Sequence, residues 1–195
     1  MLHALYEMSE PQDRARIEGI DADHSQQLYD WARTGKFPMP VTARASAKFH
    51  REVELVPGNT VVVDCGHTEN HPAVTDSVLR VADLVILHLT PSTADMGRIV
   101  DPPVGVPVRD MILRSAPLRA TGTPPPMWAL MNRASDKVNS LEECRDWLSE
   151  EGWSVFTTFI KTNERLKQSV GLPVRRAAKS QFGDVITEMR DKGLI

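Results

Sequence analysis

Short runs rich in valine and isoleucine alternate along this chain with segments that have the spacing of amphipathic helices. The clearest run is Val61-Val62-Val63, a β-branched stretch typical of a strand that is buried on both faces. Such alternation predicts an α/β fold, a mostly parallel sheet covered by helices on both faces. The predicted strands are Arg16–Ile20, Pro40–Arg44, Thr60–Cys65, Leu84–Leu89, Met127–Asn132 and Ser154–Ile160.

Helices are predicted between these strands. The clearest is Ser140–Glu150, because Ser140 and Glu143 form a capping box and Gly152 follows as a stop signal. Apolar residues at helical spacing also predict that the chain opens with a helix over Met1–Met8. The proline-rich segment Asp101–Pro126 is predicted to be the least regular part. The other predicted helices are Ser25–Arg33, Pro72–Arg80, Ser92–Val100, Val108–Ser115 and about Arg176 to Arg190.

The composition favours one globular domain over residues 1–195. The chain has 41% hydrophobic residues and a formal charge of -3, which gives no overall attraction to nucleic acid or membrane. No run approaches the roughly 20 apolar residues of a membrane span. Cys65 and Cys144 have neither metal-type nor disulfide-type spacing, so a reducing, cytoplasmic location is predicted.

Carboxylates follow two of the predicted strands. Asp21 and Asp23 come after the first strand, and Asp64 ends the valine run. Ligands of open α/β sheets bind outside the carboxyl ends of the strands, so these three side chains are predicted to share a site. Their mutual repulsion would favour a cation, and Mg²⁺ is commonly held by one or two carboxylates with water and phosphate. The alternative is structural: a helix cap, a turn residue and the start of a loop.

A second cluster of side chains suggests a different metal. Cys65, His67 and His71 are close in sequence, and His24 is a further candidate; thiolate and imidazole are zinc ligands. The spacing lacks the paired motifs of structural zinc sites, so the alternative is that these are loop histidines making polar contacts.

Five segments, in collinear order over most of the chain, resemble the ParA/MinD group of deviant Walker ATPases, which segregate plasmids and chromosomes or position division machinery. Arg16–Gln27 resembles the D-x-D segment, and Val61–Asp64 resembles the Walker B strand. Ala82–Asp95 (ADLVILHLTPSTAD) resembles the next strand with its Pro-Ser turn. Leu130–Arg133 (LMNR) resembles the adenine-recognising strand, and Ser154–Val174 resembles the closing strand with its G-x-P loop.

The resemblance implies a P-loop NTPase-like fold with Mg²⁺ and ATP as cofactors. It places Asp21 and Asp23 around the attacking water, with Asp21 also near the metal, and it assigns Mg²⁺ to Asp64. It further implies nucleotide contacts from Asn132 with its neighbour Arg133, and from Pro173 in the closing loop.

Two departures from the family pattern bear on activity. His24 and Ser25 replace the usual proline and glutamine, and no G-x-x-x-x-G-K-[ST] phosphate loop occurs in the sequence. In the family, a helix follows the phosphate loop, and the helix at Met1–Met8 takes its place. The strand and the loop that precede this helix in the family are therefore expected to be missing, and the domain is expected to be N-terminally incomplete. A start at an internal methionine, a degenerate relative, or an element supplied by a partner would each account for this. The expectation is poor ATP binding and negligible turnover.

The family also implies partners. A homodimer or a partner ATPase, a ParB-like stimulator and nonspecific DNA are expected, and a non-enzymatic module that pairs with another ATPase is the alternative function. Two groups of basic residues are candidates for DNA contact, although an ordinary solvated surface is the simpler interpretation of both. They are Arg175, Arg176 and Lys179, and Arg109, Arg114 and Arg119. The four tryptophans are predicted to lie in or beside the core.

Overall fold

The computed structural model describes residues 1–66, 71–134, 140–163 and 168–195. Every strand pair in these ranges is parallel, and helices flank the strands, which confirms the α/β class. The strands form two sheets. In the described ranges no helix is long and apolar enough to cross a membrane.

The chain divides into two compact units, each assembled from two separate segments. The first comprises Met1–Val78 and Glu164–Ile186, and the second comprises Leu79–Asn163 and Thr187–Ile195. A single domain over the whole chain stays a prediction.

The first unit contains a sheet of three strands, β1 (Ile17–Asp21), β2 (Val41–Ala43) and β3 (Thr60–Asp64), in the order β2-β1-β3. The N-terminal helix is confirmed as α1 (Leu2–Met8). Buried side chains of β1 and the helices, such as Ile17, Leu5 and Phe49, form the core. The other helices that begin in this part are α2 (Gln27–Thr34), α3 (Phe49–Glu52) and α4 (Pro72–Leu79).

The second unit contains β4 (Val85–Leu89), β5 (Met127–Ala134), β6 (Ser154–Val155) and β7 (Ile160–Lys161), with β5 paired to the other three. Its core is a cluster that includes Ile112, Met131 and Leu148, each fully buried. The helices are α5 (Thr93–Val100), α6 (Val108–Ser115) and α7 (Ser140–Glu150), and α8 (Gln181–Asp191) contributes residues to both units. The side chain of Ser140, and with it the predicted capping box, lies outside the described residues.

Two predicted elements are wrong in extent. The strand predicted over Ser154–Ile160 is two short strands, because the N–H groups of Thr157 and Thr158 donate to the carboxylate of Glu188, both at 2.8 Å, instead of to a strand. The helix predicted from Arg176 begins at Gln181, since Ser180 is extended and follows a 3₁₀ turn.

The valine run differs from its prediction in burial. Val61, Val62 and Val63 are each half-buried, whereas a strand covered on both faces was expected. The reason is position, because β3 is an outer strand of its sheet and the buried central strand is β1.

His3 on α1 makes the stability of the fold sensitive to pH. Its side chain is buried and packs edge-on against Phe37, with the ring centroids 4.2 Å apart. Burial lowers the pKa of His3 below 6.5, while Glu7 partly opposes this. The unfolded chain therefore takes up this proton at a higher pH than the folded chain. The stability that His3 contributes is present above pH 6.5 and is lost as the pH falls toward the folded pKa.

We expect His3→Gln to remove this acid sensitivity. Between about pH 6.5 and 5.5 the free energy of unfolding of the wild type should fall by at most about 1 kcal/mol more than that of the variant, because the unfolded histidine is only half protonated at the upper pH. Urea titrations of both proteins at several pH values measure the two slopes, and comparing slopes removes any constant effect of the substitution. Parallel slopes would contradict the assignment to His3.

Candidate functional site

The predicted carboxylates of the first unit meet at the carboxyl ends of two neighbouring strands. Strands β1 and β3 are parallel, and their register pairs Asp21 with Asp64. Because the two strands run in the same direction, these residues lie at the same edge of the sheet. The Ala22 N–H donates to the Asp64 carbonyl at 2.7 Å, which extends the ladder by one residue beyond Asp21. Backbone pairing thus fixes the relative position of these two residues.

Asp21 is fully buried and its carboxylate is bound on both oxygens. One oxygen accepts the Asp23 N–H at 3.0 Å, and the other accepts the Tyr29 N–H at 2.9 Å. Tyr29 lies in the first turn of α2, whose cap residue Gln26 has a φ of 52° and makes no side-chain cap. Asp21 therefore satisfies an N–H at the start of α2 from eight residues away, which is the work of a helix cap.

Asp23 lies in the turn after β1 and packs against the loop after β3. Its Oδ1 accepts the Ser25 N–H at 3.1 Å. Its carboxylate lies so close to Gly66 that a Cβ at residue 66 would collide with it, and Gly66 has a φ of +60°. The left-handed backbone favours glycine there, and a side chain at residue 66 would have to displace the Asp23 carboxylate.

Asp64 remains exposed at the end of β3. Desolvation raises the pKa of its carboxyl, the Gly66 N–H lowers it, and repulsion from Asp21 and Asp23 raises it further. A cation beside Asp64 would relieve the repulsion from Asp21 and Asp23.

The zinc hypothesis receives no geometric support in the described residues. Burial, followed by repulsion from Asp64 and Asp23, raises the pKa of the Cys65 thiol to about 12, so this group is a neutral thiol at pH 7. The rings of His24 and His71 are stacked, with centroids 3.7 Å apart and planes 25° apart. His67 lies outside the described residues. Within the described ranges, no group of three or more His, Cys, Asp or Glu side chains is placed to hold a metal ion, and this includes the three aspartates Asp21, Asp23 and Asp64.

The residues predicted to contact the nucleotide are divided between the units. Asn132 and Arg133 lie near the end of β5 in the second unit, where the Asn132 side-chain oxygen accepts the Arg133 N–H at 2.9 Å. Arg133 has a φ of 54°. Pro173 lies exposed in a loop of the first unit, directly after Leu172. The structure thus brings Asp21, Asp23 and Asp64 to one edge of the first sheet, whereas Asn132 and Arg133 belong to the second unit.

Two parts of this site were not predicted from the sequence. The Tyr29 N–H gives no signal, because every residue but proline carries one. Gly66 did carry a signal, since a glycine two residues after a strand-ending aspartate marks a place of close backbone approach.

No protein-family model matches this sequence, and no curated protein matches it significantly.

Proposed function

We propose that this chain is a ParA-like domain that carries the magnesium and water side of a nucleotide site and binds ATP poorly by itself. The observation that carries the proposal is the pairing of Asp21 with Asp64 at the ends of adjacent parallel strands, with Asp23 beside them. This is the edge at which open α/β sheets bind their ligands.

The carboxylates differ in how well they fit a cation. Asp64 is exposed and repelled by its neighbours, and Asp23 lies in the adjoining turn, so these two would hold Mg²⁺, directly or through water. Asp21 is buried and both of its oxygens accept N–H groups, which suits a positioning residue better than a direct metal ligand. Bound Mg²⁺ would neutralise phosphate charge and orient a water molecule.

The residues of this chain fit the phosphates of ATP less well than they fit a cation. A phosphate loop supplies backbone N–H groups, a lysine and a hydroxyl, and the sequence contains no such motif. By itself the chain therefore offers no phosphate loop to position ATP for hydrolysis. Base recognition by Asn132 and Arg133, loop contact by Pro173, dimerisation, a ParB-like stimulator and nonspecific DNA binding remain part of the family proposal.

Binding of metal and of nucleotide can be measured separately. We expect weak Mn²⁺ binding by electron paramagnetic resonance, reduced by about tenfold or more in Asp64→Asn because one charged ligand is lost. Isothermal titration with MgATP should give no dissociation constant in the micromolar range.

The matched control is Asp101→Asn, which removes an exposed carboxylate from the second unit and should leave Mn²⁺ affinity unchanged. Equal Mn²⁺ binding by the wild type and Asp64→Asn would remove the metal assignment. Micromolar MgATP affinity of the 195-residue chain would show that the phosphates are bound by other means.

A second candidate is a non-enzymatic ParA-like module that pairs with a partner ATPase. One observation favours it: β3, with its valine run, is an outer strand in the described sheet, and an open strand edge can pair with a strand of another chain. A pull-down with the purified chain that captures a nucleotide-binding ATPase would support it. Capture of further copies alone would count against it.

A further inference from the structure

The outer side of β3 is an open strand edge. Within the described part of the chain β3 pairs with β1 alone, in a continuous register over all five of its residues. The Asp64 carbonyl accepts the Ala22 N–H at 2.7 Å, so the backbone groups of Asp64 face β1. Because backbone groups alternate in direction along a strand, the N–H and C=O groups of Val61 and Val63 point away from β1.

The two edges of this sheet differ in how they are protected. β2 has three residues, follows Pro40 and precedes Arg44, and short length, proline and charge each discourage a strand from pairing with another chain. β3 has five residues and contains no proline, lysine, arginine or bulge. Of the two outer strands, β3 is therefore the one that can accept a further strand.

The side chains of β3 define the kind of segment that fits this edge. Its three valines are each half-buried and give both faces of the strand an aliphatic surface. Asp64 is exposed at the end of the strand and lies at the same sheet edge as Asp21 and Asp23. A complementary segment therefore has β-branched side chains along its length and a basic residue opposite Asp64.

A second copy of this chain fits the edge less well. If two copies of β3 overlapped fully in antiparallel pairing, Thr60 of the second copy would lie opposite Asp64. In parallel pairing the two Asp64 carboxylates would lie side by side, and like charges in that position are destabilising. Neither arrangement brings a cation to the carboxylates.

We propose that β3 accepts an extended segment of another protein as an additional antiparallel strand. The segment has β-branched residues and, at its N-terminal end, a lysine or arginine opposite Asp64. Two of its residues would exchange N–H···O bonds with Val61 and Val63, and antiparallel pairs are slightly more stable per residue than parallel ones. The proposal specifies what a partner of the second candidate function contributes, but it rests on the strand edge alone.

Peptide binding to the full chain tests this proposal. The probe is the end-capped peptide Lys-Val-Thr-Val-Thr-Gly, which places its lysine opposite Asp64 in the antiparallel register. By NMR titration of the ¹⁵N-labelled chain we expect a dissociation constant of about 100 µM. Replacing the lysine of the peptide by glutamate should weaken binding about fivefold, because like charges would then be opposed. The reversed peptide, with lysine at its C-terminal end, should also bind more weakly.

Two matched proline substitutions locate the bound peptide. Val61→Pro removes an outward N–H from β3 and should weaken binding by about tenfold or more, since proline cannot donate to an added strand. Val41→Pro makes the same change at a half-buried valine of β2 and should leave binding unchanged. Val41 also points away from β1, because the preceding Pro40 carbonyl faces β1 and accepts the Gly19 N–H at 3.0 Å. Circular dichroism checks that both variants are folded.

Asp64→Asn tests the charge without altering the strand. This variant should bind the lysine and glutamate peptides about equally, since no carboxylate remains opposite the variable residue. A preference for lysine that persists in Asp64→Asn would mean that the peptide is not paired as proposed.

Four outcomes would overturn the proposal: no peptide binding, equal binding by Val61→Pro and Val41→Pro, tighter binding of the reversed peptide, or a dimer of the chain in sedimentation that Val61→Pro abolishes. The last of these would make a second copy the occupant of the edge. None of the four bears on Mn²⁺ binding by the wild type, so failure here is distinguishable from failure of the proposed function.

Discussion

Asp21→Ala is expected to lower the free energy of unfolding by about 2–4 kcal/mol. The carboxylate is fully buried, and its two oxygens accept the N–H groups of Asp23 at 3.0 Å and Tyr29 at 2.9 Å. Alanine would leave both donors without their acceptor, and an unpaired buried donor costs about 1–3 kcal/mol. It would also remove the acceptor at the start of α2. Urea titration followed by circular dichroism measures the loss.

Two further variants separate this effect from a general effect of lost charge. Asp21→Asn keeps one oxygen but turns an N–H₂ group toward the other donor, so its free energy of unfolding should fall by an intermediate amount. Asp13→Ala removes a half-buried carboxylate that makes a 3.5 Å ion pair with the more exposed Arg16, and should change stability by less than about 0.5 kcal/mol. If Asp21→Ala cost no more than Asp13→Ala, the capping role of Asp21 would be wrong.

Gly183→Ala is expected to destabilise the protein by about 1–3 kcal/mol, although it places a better helix former in α8. A Cβ at residue 183 would collide with the backbone carbonyl of Ala178, in the 3₁₀ turn just before the helix. Backbone atoms cannot move aside as the end of a flexible side chain can. The Gly183 N–H also donates to the Ser180 carbonyl at 2.7 Å, which holds the two segments close.

The control for this prediction is another helical glycine with open space around it. Gly97 lies within α5, and a Cβ there would meet no atom within 4 Å. Gly97→Ala should therefore stabilise the protein by about 0.5–1 kcal/mol, since alanine loses less backbone freedom on folding. Thermal unfolding of both variants shows whether each substitution raises or lowers the stability of the protein. Stabilisation by both substitutions would mean that helix propensity outweighs the close approach at Gly183.

The carboxylate site was predictable in part because strand ends can be read from local patterns. A valine run that stops at Asp64 and a strand that stops at Asp21 place both residues at carboxyl ends, and parallel strands meet there. The sequence did not reveal that Asp21 is buried with both oxygens occupied. That depends on the path of the chain between Asp21 and Tyr29, including the left-handed Gln26, for which no local preference exists.

The broken strand near residue 157 shows a second limit. Val155 through Ile160 have the composition of one strand, yet Glu188 binds the N–H groups of Thr157 and Thr158 from 31 and 30 residues away. A side chain that competes with a strand for backbone donors can be found only once the two segments are placed together. The same reason explains Gly183, whose constraint comes from a neighbouring turn and not from the helix that contains it.

The sequence by itself determined the α/β class, the approximate helices and strands, and the edge of the sheet at which Asp21, Asp23 and Asp64 meet. These follow from hydrophobic periodicity and from strand direction, which are properties of short segments. The tertiary structure alone decided that β3 is an outer strand, that Asp21 caps α2, and that Gly66 lies against the Asp23 carboxylate. Each of these depends on which groups from distant parts of the chain come within hydrogen-bonding or van der Waals distance, and no local pattern encodes such distances.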